Sequence, residues 1–404
     1  MYKPLIASGT VKHAQKFSAS GLQKQYLTVS QQTMSSHIST SNFLRYVHPA
    51  LEIPPAIQKV LLPNPTLSVA QFLQFPLPPI SPFSEGHLPA AFFSCHGPTV
   101  DDSCLISKIP VPAAERVEEL HEACKSAALM GWTSVVCPHT AMASGMCVPL
   151  WIITYWTEVI NLRIMREPWV RAETALRKRK KSHRNSGALI NQTYLALSTL
   201  QWSGDIQGFD NAEPMNHLAR YATHQWLTDV HENQMLDMLR QELLLDPTKQ
   251  DIEVQSLTFM TWIESGYNRR DEYDGSQYFS QARCLGEELS AGIWKSVLLL
   301  KNLNNEHWVA LVLDFKNSCI RYGDSFDEDA PPKLMCAVEW WTYYHTGRHF
   351  THAKLTITMQ TDGFSCGLLA YNALAHNANP EKYPLINATA VDDARLEMLL
   401  AVTR

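Results

Sequence analysis

QTDGFSCGLLAYNALAH, from Gln360 to His376, sets a glutamine six positions before a cysteine, and the cysteine opens a run in which Leu368, Leu369, Tyr371, Asn372, Leu374 and Ala375 recur at helical spacing. The preceding THAKLTITM, Thr351 to Met359, alternates as a strand does. The chain is therefore expected to reach Gln360 from a strand and to leave Cys366 in a helix. A thiol at that point meets the positive end of the helix dipole and unpaired backbone N–H groups, both of which favour a thiolate. Gly367 carries no side chain to block an approaching carbonyl, and Gln360 offers a side-chain amide donor. A cysteine before glycine is also a common inert core residue, so the stretch needs partners elsewhere in the chain.

Those partners lie upstream. KSVLLL (Lys295 to Leu300) and HWVALVLDF (His307 to Phe315) are rich in strand formers and flank NLNN, a turn signal. SCIRYGDS continues the meander to Asp324 and Ser325. His307 opens one strand and Asp324 closes the next, 324 − 307 = 17 residues later. Antiparallel neighbours reverse direction, so the carboxylate can return beside the ring. An Asp on one imidazole nitrogen fixes the tautomer that turns the other toward a thiol. Cysteine proteolysis needs a thiolate, a histidine, an orienting acid and oxyanion donors, and all are represented here. Taken singly, the His reads as structural and the Asp-Ser pair as turn chemistry. The ordered set is what points to catalysis.

The order HW, 17 residues to DS, then QxDxxxCG resembles the protease family that cleaves SUMO and related ubiquitin-like proteins, with its viral adenain-like cousins. The resemblance covers about residues 205–404 and implies an α+β fold, a papain-like core of a central mixed or antiparallel sheet flanked by helices. It implies His307 as general base and acid, Asp324 as its orienter, Gln360 in the oxyanion hole and Cys366 as nucleophile, with Gly367 beside it. Trp308 would line a narrow tunnel for a Gly-Gly tail. WLTD, Trp226 to Asp229, looks like the family's WLxD segment, so Trp226 and Asp229 would help hold the substrate. Many relatives carry an acidic residue just before the nucleophile; here it is Ser365, with Asp362 and Gly363 the nearest match, a departure that bears on substrate choice. The implied activity is a thiol protease or isopeptidase acting after the Gly-Gly of a SUMO-like modifier through an acyl-enzyme, with no cofactor and no metal. A non-catalytic module that binds a ubiquitin-like protein, or a same-fold protease for a mobile-element polypeptide, are the alternatives.

Around these motifs, WLTDVHENQMLDMLRQELL reads as a helix capped by Thr228 or Asp229 with Met235, Leu236, Leu239 and Leu243 inside. Pro331 to about His345 is a second helix, and GYNRRDEYDGSQYF (Gly266 to Phe279) a surface loop. Residues 1–90 are rich in Ser, Thr, Gln and Pro, densest at FPLPPISPF (Phe75 to Phe83), and are expected to be partly disordered. Residues 91–200 are expected to be helical. PAAERVEELHEACKSAALMGW places Val117, Leu120, Cys124, Ala127 and Ala128 on one side, and a segment from Val148 to Met165 carries an aromatic stripe suited to core packing. Pro168 is expected to start another helix, ending in the basic run RKRKKSHR, Arg177 to Arg184. That run reads as a solvated helix end or as a nuclear-import or nucleic-acid contact. This half resembles extensions on fungal proteins of the class linked to mobile elements.

The 404 residues, 45% hydrophobic, have room for two or three domains, and a net charge of -5 gives no global attraction to nucleic acid or anionic membrane. Nine scattered cysteines fit reduced thiols. His121/Cys124 and Cys137/His139 superficially suggest zinc but lack a CxxC knuckle. The N-terminus lacks a secretory pattern, and the apolar run Cys147 to Trp156 is about half of the roughly 20 residues a span needs. An intracellular monomer of nucleus or cytoplasm is expected, its partner a SUMO-like protein and its conjugates rather than membrane or nucleic acid.

Overall fold

The computed structural model describes residues 49–81, 89–100, 102–124, 126, 130–137, 146–182 and 187–404. The sequence expectations for residues 1–48, for His139 and for the end of the basic run at His183 and Arg184 lie outside the described residues. The chain divides into two compact units, one taking in residues 1–67 and 74–166 and the other residues 68–73 and 167–404.

In the first unit, helices Pro55–Leu61 and Ala114–Cys124 accompany a small antiparallel sheet of Phe93–Ser94, Ser134–Val136 and Cys147–Pro149. Val117, Leu120 and Cys124 face its core together with Ile106, Ile109, Trp156 and Val159. Burial pushes the Cys124 thiol up to about 12, so without a partner it packs in its protonated form as a small hydrophobe. The segment 49–81, expected to be partly disordered, contributes Leu51, Ile53 and Leu61 to this core. Pro168 does not start a new helix: Ile152–Ser182 is continuous, with the proline inside it. The carbonyl deprived of its donor belongs to Ile164, a residue on the exposed side of the helix, while Trp169, Ala172 and Leu176 keep the buried stripe running.

The second unit is built on one mixed five-stranded sheet. We number its strands β1 (Ile252–Val254), β2 (Ser296–Leu303), β3 (His307–Asp314), β4 (Cys319–Gly323) and β5 (Thr351–Lys354), and its principal helices α1 (Asp229–Leu245), α2 (Thr258–Asn268), α3 (Ser280–Ser290), α4 (Pro332–Thr346), α5 (Cys366–Ala378) and α6 (Val391–Val402). The strand order is β5-β4-β3-β2-β1, antiparallel in the middle and parallel at both ends. The unbroken apolar runs of β2 and β3 are those of strands covered on both faces. Val297, Leu299, Val309, Leu311 and Leu313 pack with Phe259, Ile263, Leu285 and Trp341 of α2 to α4. The alternate residues of the sheet turn to the opposite side, where α5 packs on β3. Asn304 and Asn305, at φ 54° and 61°, make the left-handed turn between β2 and β3 that asparagine tolerates best.

Two expectations are corrected here. The strand foreseen over Thr351 to Met359 ends at Lys354, because β5 is an edge strand paired to β4 and β4 stops at Gly323. Beyond it Leu355 N–H still donates to the Tyr322 carbonyl and Gln360 N–H to the Ser325 carbonyl, each at 2.8 Å, so the chain tracks the site without remaining a strand. The stretch Gly266 to Phe279 is not simply a surface loop: Tyr273 and Phe279 are fully buried. Tyr273 Oη accepts from Trp341 Nε1 at 2.9 Å and meets His345 Nε2 at 3.1 Å.

A methyl group on Gly286 of α3 would run into the His345 ring. Gly286→Ala is therefore expected to lower stability by about 1–3 kcal/mol despite alanine's better helix propensity, read as a lower urea midpoint at constant m. Burial also holds His345 down to about 4. Its neutral form is the folded one, so this contribution is whole above pH about 6.5 and lost as pH falls through about 4. His345→Gln should flatten that part of the acid-unfolding curve.

Candidate active site

The antiparallel pairing of β3 with β4 brings the two ends named by the sequence together. His307 Nε2 lies 2.8 Å from Asp324 Oδ1. Asp324 is almost fully buried, and its remaining lone pairs accept from Phe326 N–H at 2.7 Å and Tyr322 Oη at 3.2 Å. Three donors on one carboxylate leave it little freedom to turn. The Phe326 ring stacks on the imidazole at 4.9 Å and is half exposed, walling one side of the ring. With Nε2–H donated to the carboxylate, Nδ1 is the ring nitrogen that keeps a lone pair.

Cys366 is the first residue of α5 and is nearly buried. Backbone N–H groups of Trp308, Gly367 and Cys366 itself face its sulfur, which puts the thiol beside the residue that follows His307. No hydrogen bond joins Cys366 to His307 among the described residues. Sequence reasoning expected the helix end to lower the thiol's pKa. The balance is the reverse: burial pushes it up, and the three N–H groups offset that in part.

The loop before Cys366 is tied down by Asp362, whose Oδ1 accepts from Phe364 N–H at 2.8 Å, Ser365 N–H at 2.9 Å and Ser365 Oγ at 2.8 Å. Ser365, where an acidic residue was looked for, thus serves as a donor to the acid three positions earlier. Gln360 reaches the loop as well. Its Oε1 accepts from Ser325 Oγ at 3.0 Å, while Nε2 faces the Asp362 carbonyl at 2.7 Å and Asp362 Oδ1 at 3.3 Å. The sequence offered Asp362 as a match to a missing acid and gave no sign that it organises the loop; an Asp three residues before a Ser is the signal that was there.

The tryptophans frame the same place. Trp308 is buried and its Nε1 donates to the Leu227 carbonyl at 3.2 Å, while Trp226 is half exposed and its Nε1 donates to the Gly363 carbonyl. Thr228 rather than Asp229 caps α1, in a reciprocal box with His231. Asp229 stands exposed on the first turn of that helix. Gly367 is not open to an incoming carbonyl on its Cβ side: a methyl group there would overlap the Glu232 carboxyl and come within 3.2 Å of Trp308 Cδ1. Glu232 was missed by sequence reasoning although it falls four residues before Leu236 and three before Met235, on the helix's apolar face. Among the described residues, no group of three or more His, Cys, Asp or Glu is placed to hold a metal ion, and no helix is long and apolar enough to cross a membrane.

No protein-family model matches the chain. No curated protein matches it either. Among solved structures it is similar to the C-terminal Ulp1 protease domain of yeast in complex with Smt3, the yeast ortholog of SUMO, at 16% identity and TM-score 0.41 over 53% of this chain and 92% of that one. It is similar also to the Chaetomium thermophilum Ulp1-like SUMO protease catalytic domain, at 13% identity and TM-score 0.36 over 50% of this chain and 81% of that one. A third is the Xanthomonas campestris effector XopD bound to ubiquitin, at 22% identity and TM-score 0.31 over 43% of this chain and 90% of that one.

If Asp362 fixes the loop before Cys366, Asp362→Ala should raise amide hydrogen exchange at Phe364 and Ser365 by about tenfold or more, the equivalent of one lost charge-assisted hydrogen bond. Exchange that stays at the wild-type rate would mean that packing alone holds the loop.

Proposed function

We propose that the second unit is a thiol protease or isopeptidase that cleaves after the Gly-Gly tail of a SUMO-like modifier. The observation that carries this reading is the bond between His307 Nε2 and Asp324 Oδ1 at 2.8 Å, on a strand against which α5, the helix that Cys366 opens, is packed. His307 Nδ1 takes the thiol proton, and the sulfur attacks the carbonyl carbon of the terminal glycine. The oxyanion is met by the Cys366 backbone N–H and by Gln360 Nε2. The C–N bond then breaks, His307 returns the proton to the leaving amine, and a thioester remains. Water, deprotonated by the same nitrogen, releases the carboxylate and restores the thiol. Asp324 stays ionised throughout and stabilises the imidazolium.

A glycine-ended tail is supported by the tight surroundings of the sulfur, where Trp308 and Gly367 are both buried and Trp226 is bound to the loop. The SUMO-like identity of the modifier follows the sequence resemblance. Binding without cleavage is the second reading, and it draws on the burial that raises the Cys366 thiol's pKa. The same residues would serve a protease whose glycine-ended substrate is a mobile-element polypeptide.

Incubation of the purified chain with vinyl-sulfone probes of SUMO, NEDD8 and ubiquitin separates these readings. A covalent adduct with the SUMO probe, absent in Cys366→Ala, is expected; binding without an adduct would mark a non-catalytic module. Asp324→Asn should slow adduct formation by roughly 10²–10⁴-fold without changing the urea midpoint in proportion.

A further inference from the structure

Glu232 takes no part in the chemistry above, and its surroundings are unusual for a carboxyl group. It is fully buried, and both of its oxygens lack a hydrogen-bond partner among the described residues. A buried polar group left unpaired is costly, and such groups concentrate where a protein uses them. The carboxyl fills the space that Gly367's missing side chain leaves, with its Cδ 2.9 Å from where a Cβ on Gly367 would stand. It therefore abuts the first turn of α5, next to the cysteine.

The groups that face it come from several elements. Cys366 and Tyr371 belong to α5, Arg395 to α6 and Tyr221 to the helical turn Met215–Ala222; Trp308 of β3 brings no charge, and His231 is the adjacent titratable residue of α1 itself. Among the described residues Arg395 is the one cation that acts on Glu232, and it does not bond it. Its Nε donates to the Tyr221 carbonyl at 3.2 Å, and its Nη2 to the Arg220 and Gln225 carbonyls, each at 2.8 Å. His231 is held by Thr228 and the His217 carbonyl and is pushed down to about 3 by burial, so it is neutral near pH 7. Burial pushes Glu232 itself up to about 8, with Arg395 pulling it the other way, so near neutral pH it carries its proton. Once ionised, its charge acts on the Cys366 thiol to oppose the thiolate.

We propose that Glu232 is a positioning residue for the nucleophile: as a neutral acid it fills the gap at Gly367 and permits the Cys366 thiolate, and on losing its proton to solvent it suppresses that thiolate. The proposal rests on the reading of Cys366 as the nucleophile. It assigns to α1 a control over the ionisation of α5 that neither the histidine nor the aspartate supplies.

The test is the pH profile of Cys366 alkylation by iodoacetamide in the full chain, from pH 5.5 to 10, followed on the Cys366 peptide by mass spectrometry. The ratio of the Glu232→Gln rate to the wild-type rate should rise about five- to tenfold between pH 6.5 and 9.5, the size of effect a like charge has on a nearby thiol. A ratio that stays constant would overturn the proposal and leave Glu232 a packing residue. The wild-type chain gives a second measurement that needs no variant to fold. Its log rate should climb with less than unit slope across pH about 8, and a straight unit slope there would also overturn it. Alkylation requires no modifier, so a chain that gives no probe adduct still reports this coupling, and the two ideas fail separately.

Discussion

The register of β3 against β4 is the constraint on which the rest of the site depends. Ala310 stands opposite Gly323 and Leu311 opposite Tyr322, so the strand that ends at Gly323 delivers Asp324 toward the start of its neighbour, where His307 lies. A slip of one residue would turn every side chain of β4 to the other face and send the carboxylate away from the ring. The register is held from both sides. On one face Val309, Leu311 and Leu313 join the α2–α4 core, and on the other β3 receives α5. The core that stabilises the unit thus also aligns the acid with the imidazole.

The same sheet positions Cys366 by a different means. Cys366 is not on a strand, and its position comes from a loop whose polar atoms are paired almost entirely within the site. Asp362 holds Phe364 and Ser365, Gln360 is gripped by Ser325 and Asp362, and Trp226 reaches Gly363. Ser325 adjoins Asp324, so the loop is fastened to the same strand end that carries the acid. The His–Asp pair and the cysteine loop are therefore not independent modules: both hang from residues 322–326, where Tyr322, Asp324, Ser325 and Phe326 each contribute a contact.

Burial gives this arrangement its chemical character. A thiol packed under Trp308 is shielded from solvent, which raises its pKa, and backbone N–H groups return part of what is lost. A neutral Glu232 beside it is compatible with that balance in a way an anion is not. The half-exposed Phe326 and Trp226 lie at the rim, while Trp308 and Gly367 lie beneath, so polarity and access change over a few side chains.

The amino-acid sequence by itself determined the meander, because the apolar runs of residues 297–300 and 308–313 and the asparagines between them admit little else, and it determined α5, whose apolar spacing begins at Cys366. The 17-residue interval from His307 to Asp324 likewise foretold a pair that the structure brings to 2.8 Å. Periodicity is local, and these features are local. Tertiary structure alone decided that the thiol is buried beside Trp308, that Pro168 lies inside a helix, that Tyr273 is a core residue and that β5 is four residues long. It also decided the place of Glu232, whose charge marks it as a surface residue in sequence and whose neighbours are Gly367 and Arg395 in space. Most of these depend on which surface covers which, and that is settled by packing between segments distant in the chain, 366 − 308 = 58 residues for Cys366 and Trp308 and 367 − 232 = 135 for Glu232 and Gly367, for which no short stretch of sequence carries the information.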